Sequence, residues 1–247
     1  MTDWPVYVIN MAAHTGRMSS CKLTLDRLGI AFQRFDAVNG RDMSEPEIAR
    51  VYDALANRRR ARYPLVAGEI GCYLSHLELW RELAASDHKG AIILEDDFIA
   101  RPELPLVLAS LSSDRSGWDM VKLYSRRPKQ RMLSTQPLCV GFQLARPYQI
   151  PNTTLGYAIR RDAALRLLDN VGRFARPIDE DLKRFWEHGL DIRLVLPPPL
   201  GLAPAANSGD AIQAARRRGG GISQGWRNLR YRLDYLARLH FHRNMGR

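Results

Sequence analysis

Three consecutive carboxylates, Glu95, Asp96 and Asp97, follow the apolar run Ala91-Ile92-Ile93-Leu94. Adjacent anions repel one another unless a cation or water screens them. The apolar run reads as a buried strand, and in an open α/β sheet ligands bind just beyond the carboxyl ends of the strands. Hard oxygen ligands at that place suit Mg²⁺ or Mn²⁺. In extended chain Glu95 and Asp97 point to one side and Asp96 to the other. The expected metal ligands are therefore Glu95 and Asp97, with Glu95 binding directly or through water. Asp96 is left to bond backbone or a ribose hydroxyl. The competing reading is a solvated acidic turn.

The segment Gly68 to His76 opens a helix, and Gly68 and Gly71 allow close backbone approach. Ser75 and His76 are neighbours, about 100° apart on a helix, so they form no nucleophile pair. That argues against a serine hydrolase. His76 either lines a ligand pocket or is a hydrogen-bonded core histidine. Glu69 favours the helix dipole or serves the site. Tyr73 and Trp80 read as core. The three cysteines, Cys21, Cys72 and Cys139, are far apart and lack metal-ligand spacing. They read as buried free thiols in a reducing compartment.

The elements that position these groups follow from periodicity. Val6 to Ile9 is a buried strand. Arg17 to Leu28 is a helix with Met18, Cys21, Leu25 and Leu28 on one face and Gly29 as its stop. Ile30 to Phe35 alternates as a second strand. Glu45 to Arg58 reads as one polar helix and Glu69 to Ala85 as a strong one. Asp119 to Leu123 and Leu155 to Ile159 are short strands. Residues 125 to 153, rich in Arg, Pro and Gln, form a long loop or hairpin of the kind that carries function. Asp162 to Asp169 and Glu180 to His188 are helices, and Asp191 to Leu196 is a strand. The alternation predicts an α/β sandwich with a mostly parallel sheet.

The chain has 247 residues, enough for one sizeable core. No apolar run approaches the roughly 20 residues that cross a bilayer, and no signal-peptide pattern opens the sequence. The net charge of +11 attracts phosphates, but it is unevenly placed. From Arg216 onward there are nine arginines against one acid, Asp234. Trp226, Leu229, Leu233 and Leu236 recur there at helical spacing, with Arg227, Arg230, Arg238 and Arg243 between them. Such a basic amphipathic helix fits an anionic membrane surface. The alternative is a helix packed on the domain with a solvated basic face. The expected division is a domain over residues 1–204, then a flexible connector and tail over 205–247. Because the charge sits at the end and no binding motif accompanies it, no nucleic acid partner is expected.

Read together, several blocks form an ordered set. They are Val8-Ile9-Asn10-Met11 with Arg17, Phe35 to Gly40, Gly68 to His76, Ile93 to Asp97, Thr154 to Ile159 and Pro177-Ile178-Asp179. This set resembles glycosyltransferase family 25, the bacterial lipopolysaccharide (lipooligosaccharide) glycosyltransferases related to collagen galactosyltransferases. The resemblance runs from about residue 6 to 200. It implies a GT-A-like, single Rossmann-type domain, a UDP-sugar donor (UDP-galactose or UDP-glucose), a divalent metal, Mn²⁺ or Mg²⁺, and inversion at the anomeric carbon. It also implies a glycolipid acceptor and a cytoplasmic location, where the tail would hold the protein peripherally at the inner face of a bacterial inner membrane. The departures are Met11 for Leu, Asn39 for Asp, and Glu180 where an aromatic often follows.

Sugar transfer requires that a leaving diphosphate be neutralised, an acceptor hydroxyl be deprotonated, and both be held in line. On that reading Arg17 faces a phosphate, and Asn10 with Ala37, Val38 and Asn39 holds uracil and ribose. Ser75, His76, Glu69 and Asp96 border the donor, and Thr154, Gly156 and Tyr157 shape the acceptor side or serve packing. Lys122 reaches a phosphate or lies at a strand edge in solvent. Asp179 is the chosen base, with a helix N-cap as its rival role, and Glu180 stands in reserve.

Overall fold

The structure is a computed structural model describing residues 2–204 and 222–245. In chain order the elements are β1 (Val6–Asn10), α1 (Thr15–Arg27), β2 (Gln33–Asp36), α2 (Glu45–Val51), α3 (Ala54–Arg60), α4 (Ala67–Ala85), β3 (Gly90–Glu95), β4 (Phe98–Ala100) and α5 (Leu104–Ser113). There follow β5 (Met120–Lys122), β6 (Met132–Cys139), β7 (Phe142–Pro147), β8 (Gly156–Arg160), α6 (Arg161–Asn170), α7 (Ile178–Leu182), α8 (Phe185–His188), β9 (Ile192–Leu196), β10 (Leu200–Leu202) and α9 (Ile222–Met245).

An eight-stranded sheet in the order β2-β1-β3-β8-β5-β9-β7-β6 forms the centre. Strands β2, β1, β3, β5, β9 and β6 share one direction, and β8 and β7 oppose it. The sheet is thus mixed, with a parallel majority, and the α/β architecture is that of a GT-A-like domain. Both faces are covered, which is why β1 and β3 are apolar throughout rather than alternating. Val6, Val8, Ile92 and Leu94 face Leu25 of α1 and Leu108 of α5. Tyr7, Ile9 and Ile93 face Leu77 and Trp80 of α4 and Leu167 of α6.

Several expected elements are revised. The helix expected over 45–58 is two, because Tyr52 turns extended and bridges Phe174, and the Asp53 side chain accepts from Ala56 N (2.9 Å) to start α3. The helix expected over 180–188 is also two, broken at Lys183 and Arg184. Strand β2 begins only at Gln33, since Ile30 N closes the end of α1 on Leu25 O (2.9 Å) while Gly29 takes φ 65°. The small β4–β10 sheet carried no distinct periodic signal, whereas α5 was passed over although Leu104, Val107, Leu108 and Leu111 recur at helical spacing. Residues 125–153 contain the β6–β7 hairpin, whose register shifts near Ser134 and Pro137.

Helix α4 reaches the loop after β2 through two glycines. A Cβ on Gly71 would lie 2.3 Å from Val38 O, and one on Gly40 2.0 Å from Ala67 O. Gly71→Ala should therefore destabilise the fold by about 1–3 kcal/mol, the range for overpacking. A urea midpoint equal to that of the parent would show that the loop yields freely.

The expected tail divides in two. Residues 205–221, expected as a connector, lie outside the described residues. Helix α9 is docked on the domain rather than apart from it. Tyr231, Tyr235 and Leu239 are buried, and Trp186 stacks on His242 (5.5 Å, 1°). Arg227 donates to the Asn57 and Ala61 carbonyls at the end of α3 (2.9 and 2.8 Å), the first of which also accepts from Ala61 N. Arg243 donates to Pro147 O and Tyr148 O at the far end (2.9 and 3.0 Å). Among the described residues no helix is long and apolar enough to cross a membrane.

Candidate active site

Strand β3 lies between β1, which runs parallel to it, and β8, which runs antiparallel. The acidic triplet emerges at the end of β3 and divides. Glu95 and Asp97 line a cleft of about 590 Å³. Asp96 turns towards β1 and α1, where it accepts from Asn10 Nδ2 (2.6 Å) and pairs with Arg17 Nη1 (2.9 Å). Burial raises the Asp96 carboxyl above its ordinary value, against Asn10 and Arg17. Asn10 and Arg17 are thus joined to Asp96 beneath the strand ends. Asn10 Oδ1 also accepts from Arg34 Nε (3.0 Å).

The loop after β2 is held from both sides. Ala37 N donates to Asn10 O (3.1 Å) and Val38 N to Ser75 Oγ (2.9 Å). Ser75 in turn donates to Gly71 O (2.8 Å), so this serine ties α4 to the loop. Asn39 accepts from Arg41 N (3.2 Å) and donates to Asp42 (2.9 Å), closing a local turn.

Glu95 is the best-connected member of the triplet. Its Oε1 accepts from the Thr154 hydroxyl and faces His76 Nε2 at 3.6 Å. Burial pushes its pKa up, but His76, Thr154 and Lys122 outweigh burial and hold it below the ordinary range. Cys72, one turn before His76 on α4, completes a group of three: its thiol, His76 and Glu95 lie within 4.8 Å of one another. The i, i+4 spacing of Cys72 and His76 was present in the sequence as a signal for this proximity.

The cleft has a second acidic wall. Asp179 lines it from the first turn of α7, whose N-cap position is Pro177, so Asp179 does not hold the cap position itself. Burial, and then the neighbouring Glu180 charge, raise its pKa to about 6, against the pull of Lys122 and Lys183. Lys122 lies in the central strand β5 and is buried, not at a solvent-exposed edge. Burial lowers its pKa to about 8, opposed by Asp179 and then Glu95. Its Nζ donates to Thr153 O (2.8 Å). Thr153 has φ 118°, a conformation costing about 1–3 kcal/mol for such a residue. Strain of that kind concentrates at functional sites, and Thr153 does line the cleft.

Glu180, beside Asp179 in sequence, does not line this cleft. Its Oε1 accepts from Asn152 Nδ2 (3.0 Å) and its Oε2 lies 2.6 Å from Lys183 Nζ. Glu69 lines the cleft and accepts from Val66 N (3.0 Å) at the start of α4. Gly156 is enclosed by packing, since a Cβ there would lie 2.4 Å from Leu200 Cδ1. Sequence reasoning passed over Arg126, Arg127, Lys183 and Tyr235, all of which line the cleft. Tyr235 reaches it from α9, and Lys183 Nζ lies 4.4 Å from the centre of its ring.

The end of β3 and the start of α7 thus bring carboxylates to one cleft within a GT-A-like α/β domain, the setting of a glycosyltransferase. The chain belongs to glycosyltransferase family 25 (LPS biosynthesis protein), whose family model matches residues 3–182. It is 28% identical over 171 residues to a glycosyltransferase 25 family member of Aedes aegypti, covering 66% of this chain and 28% of that one. It is 27% identical over 230 residues to procollagen galactosyltransferase 1-B of Xenopus laevis, covering 83% and 36%. The human inactive glycosyltransferase 25 family member 3 is 26% identical over 227 residues, covering 83% and 37%. The chain therefore spans about a third of the length of the curated relatives it matches.

Proposed function

We propose that the chain transfers galactose or glucose from a UDP-hexose to a hydroxyl of a lipopolysaccharide or lipooligosaccharide acceptor, with inversion. The observation carrying this reading is a single cleft with Glu95 and Asp97 on one wall and Asp179, near-neutral in pKa, on another. The hard oxygens of Glu95 and Asp97 suit Mn²⁺ or Mg²⁺, whose charge would neutralise the departing diphosphate. Asp179 accepts the proton of the acceptor hydroxyl. Lys122, set electrostatically between Asp179 and Glu95, supports both anions and holds the strained Thr153 carbonyl. The galactosyltransferase named among the relatives favours a hexose donor.

The test is UDP release from UDP-galactose and from UDP-glucose, with Mn²⁺ and with EDTA. Metal-dependent release from one donor identifies reaction and sugar together. The inactive human relative gives a second reading, a family member that binds without turnover. UDP binding without release from either donor would select it.

The outer face of α9 suits an anionic bilayer surface. Trp226, Leu229, Leu233 and Leu236 are exposed along one stripe, while the opposite face packs on the domain. Arg58, Arg230 and Arg232 lie beside or near that stripe and match anionic headgroups. Leu229→Ser with Leu233→Ser should reduce co-sedimentation with phosphatidylglycerol vesicles and leave donor hydrolysis intact. Unchanged sedimentation would remove the membrane from the proposal.

A further inference from the structure

Tyr157 is fully buried between two helical side chains of α4. Trp80 Nε1 donates to its hydroxyl oxygen (3.0 Å), and that oxygen stands 2.8 Å from His76 Nδ1. An indole N–H only donates. The phenolic proton therefore has His76 Nδ1 as its acceptor among the described residues. A ring that accepts at Nδ1 carries its proton at Nε2. His76 Nε2 is buried, makes no hydrogen bond, and is aimed at Glu95 Oε1 from 3.6 Å. The Thr154 hydroxyl donates to the same Oε1. A bonded hydroxyl and a facing ring N–H thus meet on one carboxylate oxygen of a residue that lines the cleft.

We propose that Trp80, Tyr157 and His76 form a one-way hydrogen-bond chain that fixes the direction of Glu95, with His76 as a positioning residue. The function of the chain rests on the reading of Glu95 as a metal ligand; its direction does not. Each link constrains the next. Trp80 can only give a proton, so Tyr157 passes its own to Nδ1, and Nε2 is left as a donor. The neighbouring Cys72 offers a rival chemistry. A thiol, imidazole and carboxylate this close would suit a softer ion such as Zn²⁺. That site needs a lone pair on His76 Nε2, the opposite tautomer, and would leave the buried Tyr157 proton without an acceptor. The hydrogen-bond chain pairs the Trp80 and Tyr157 donors and sets the His76 Nε2 proton facing a carboxylate oxygen, and the soft-metal site leaves the Tyr157 proton unpaired.

The tautomer is read directly by ¹⁵N NMR of histidine-labelled, metal-free protein. The expected result is a protonated Nε2 and a bare Nδ1 for His76. Tyr157→Phe keeps the ring in the core and removes the donor to Nδ1. It should erase that tautomer preference and weaken Mn²⁺ binding, followed by electron paramagnetic resonance, about tenfold, the lower end for a lost outer partner. His76→Gln retains a side-chain N–H and should keep most of the affinity, whereas His76→Leu should not. A proton on Nδ1 in the parent protein would overturn the proposal. So would unchanged tautomer and Mn²⁺ affinity in Tyr157→Phe, or a cadmium–thiolate charge-transfer band that Cys72→Ser abolishes. If the parent binds no Mn²⁺, the metal reading of Glu95 falls and the tautomer measurement still decides the chain.

Discussion

Asp179→Asn is expected to lower kcat by about 10²–10⁴, the usual contribution of a positioned general base. The pH profile gives a sharper reading than the rate alone. A base works deprotonated, and Asp179 releases its proton at about 6. In the parent, kcat/KM should fall as pH drops through that value, and in the variant this limb should vanish. The sign of the stability change is opposite. A carboxyl whose folded pKa is raised destabilises the native state once ionised, so stability declines as pH climbs from its unfolded value towards about 6. Asp179→Asn should therefore be more stable than the parent at neutral pH and less active. Retention of the acidic limb in the variant would assign Asp179 a structural role in α7.

Asp97→Ala should raise the Mn²⁺ concentration required for UDP release by at least about 100-fold, the upper end for losing even an outer partner of a metal. Asp96→Ala is the informative contrast. Asp96 sits against Asn10 and Arg17, away from the cleft. Its removal should loosen the β1–α1 junction and lower the melting temperature, because Arg17 loses its carboxylate partner. Its Mn²⁺ requirement should stay near that of the parent. Equal metal dependence in the two variants would show that the triplet acts as a diffuse negative patch rather than through directed ligands.

The parts legible in the sequence were those whose signal is local. The apolar runs of β1 and β3 announce buried strands, and a strand ending in three acids announces a site. The separation of Asp96 from Glu95 and Asp97 was expected from strand alternation, but β3 ends at Glu95, and the turn at Asp96 and Asp97 before β4 is what parts them. What stayed hidden depends on sheet order. Strand β8 inserts between β3 and β5, and only that insertion sets Tyr157 beside His76 and brings Lys122 within electrostatic reach of Glu95 and Asp179. A lysine in a three-residue strand carries no mark of being central. The break at Tyr52 was hidden for a different reason: a polar helix and two shorter polar helices share one pattern, and tertiary pairing with Phe174 decides between them. Arg17 and Asn10 were read as facing a ligand, and the fold joins them to Asp96, 86 residues from Asn10 in sequence.

The central sheet ends on β2 at one side and on β6 at the other. Open edges of this kind are where folded chains recruit one another into aggregates. Here neither edge presents a long, regular ladder. Strand β2 is four residues and carries Arg34 and Asp36, a pair of charges that a docking strand would have to desolvate. Strand β6 is longer, but Pro137 removes one donor and the register slips on either side of the 134–137 stretch. The irregular hairpin thus serves as a guard for the apolar β9 behind it, as the short charged β2 does for β1 and β3. Pro137→Val would restore the missing donor and give a second chain a more continuous row on which to pair.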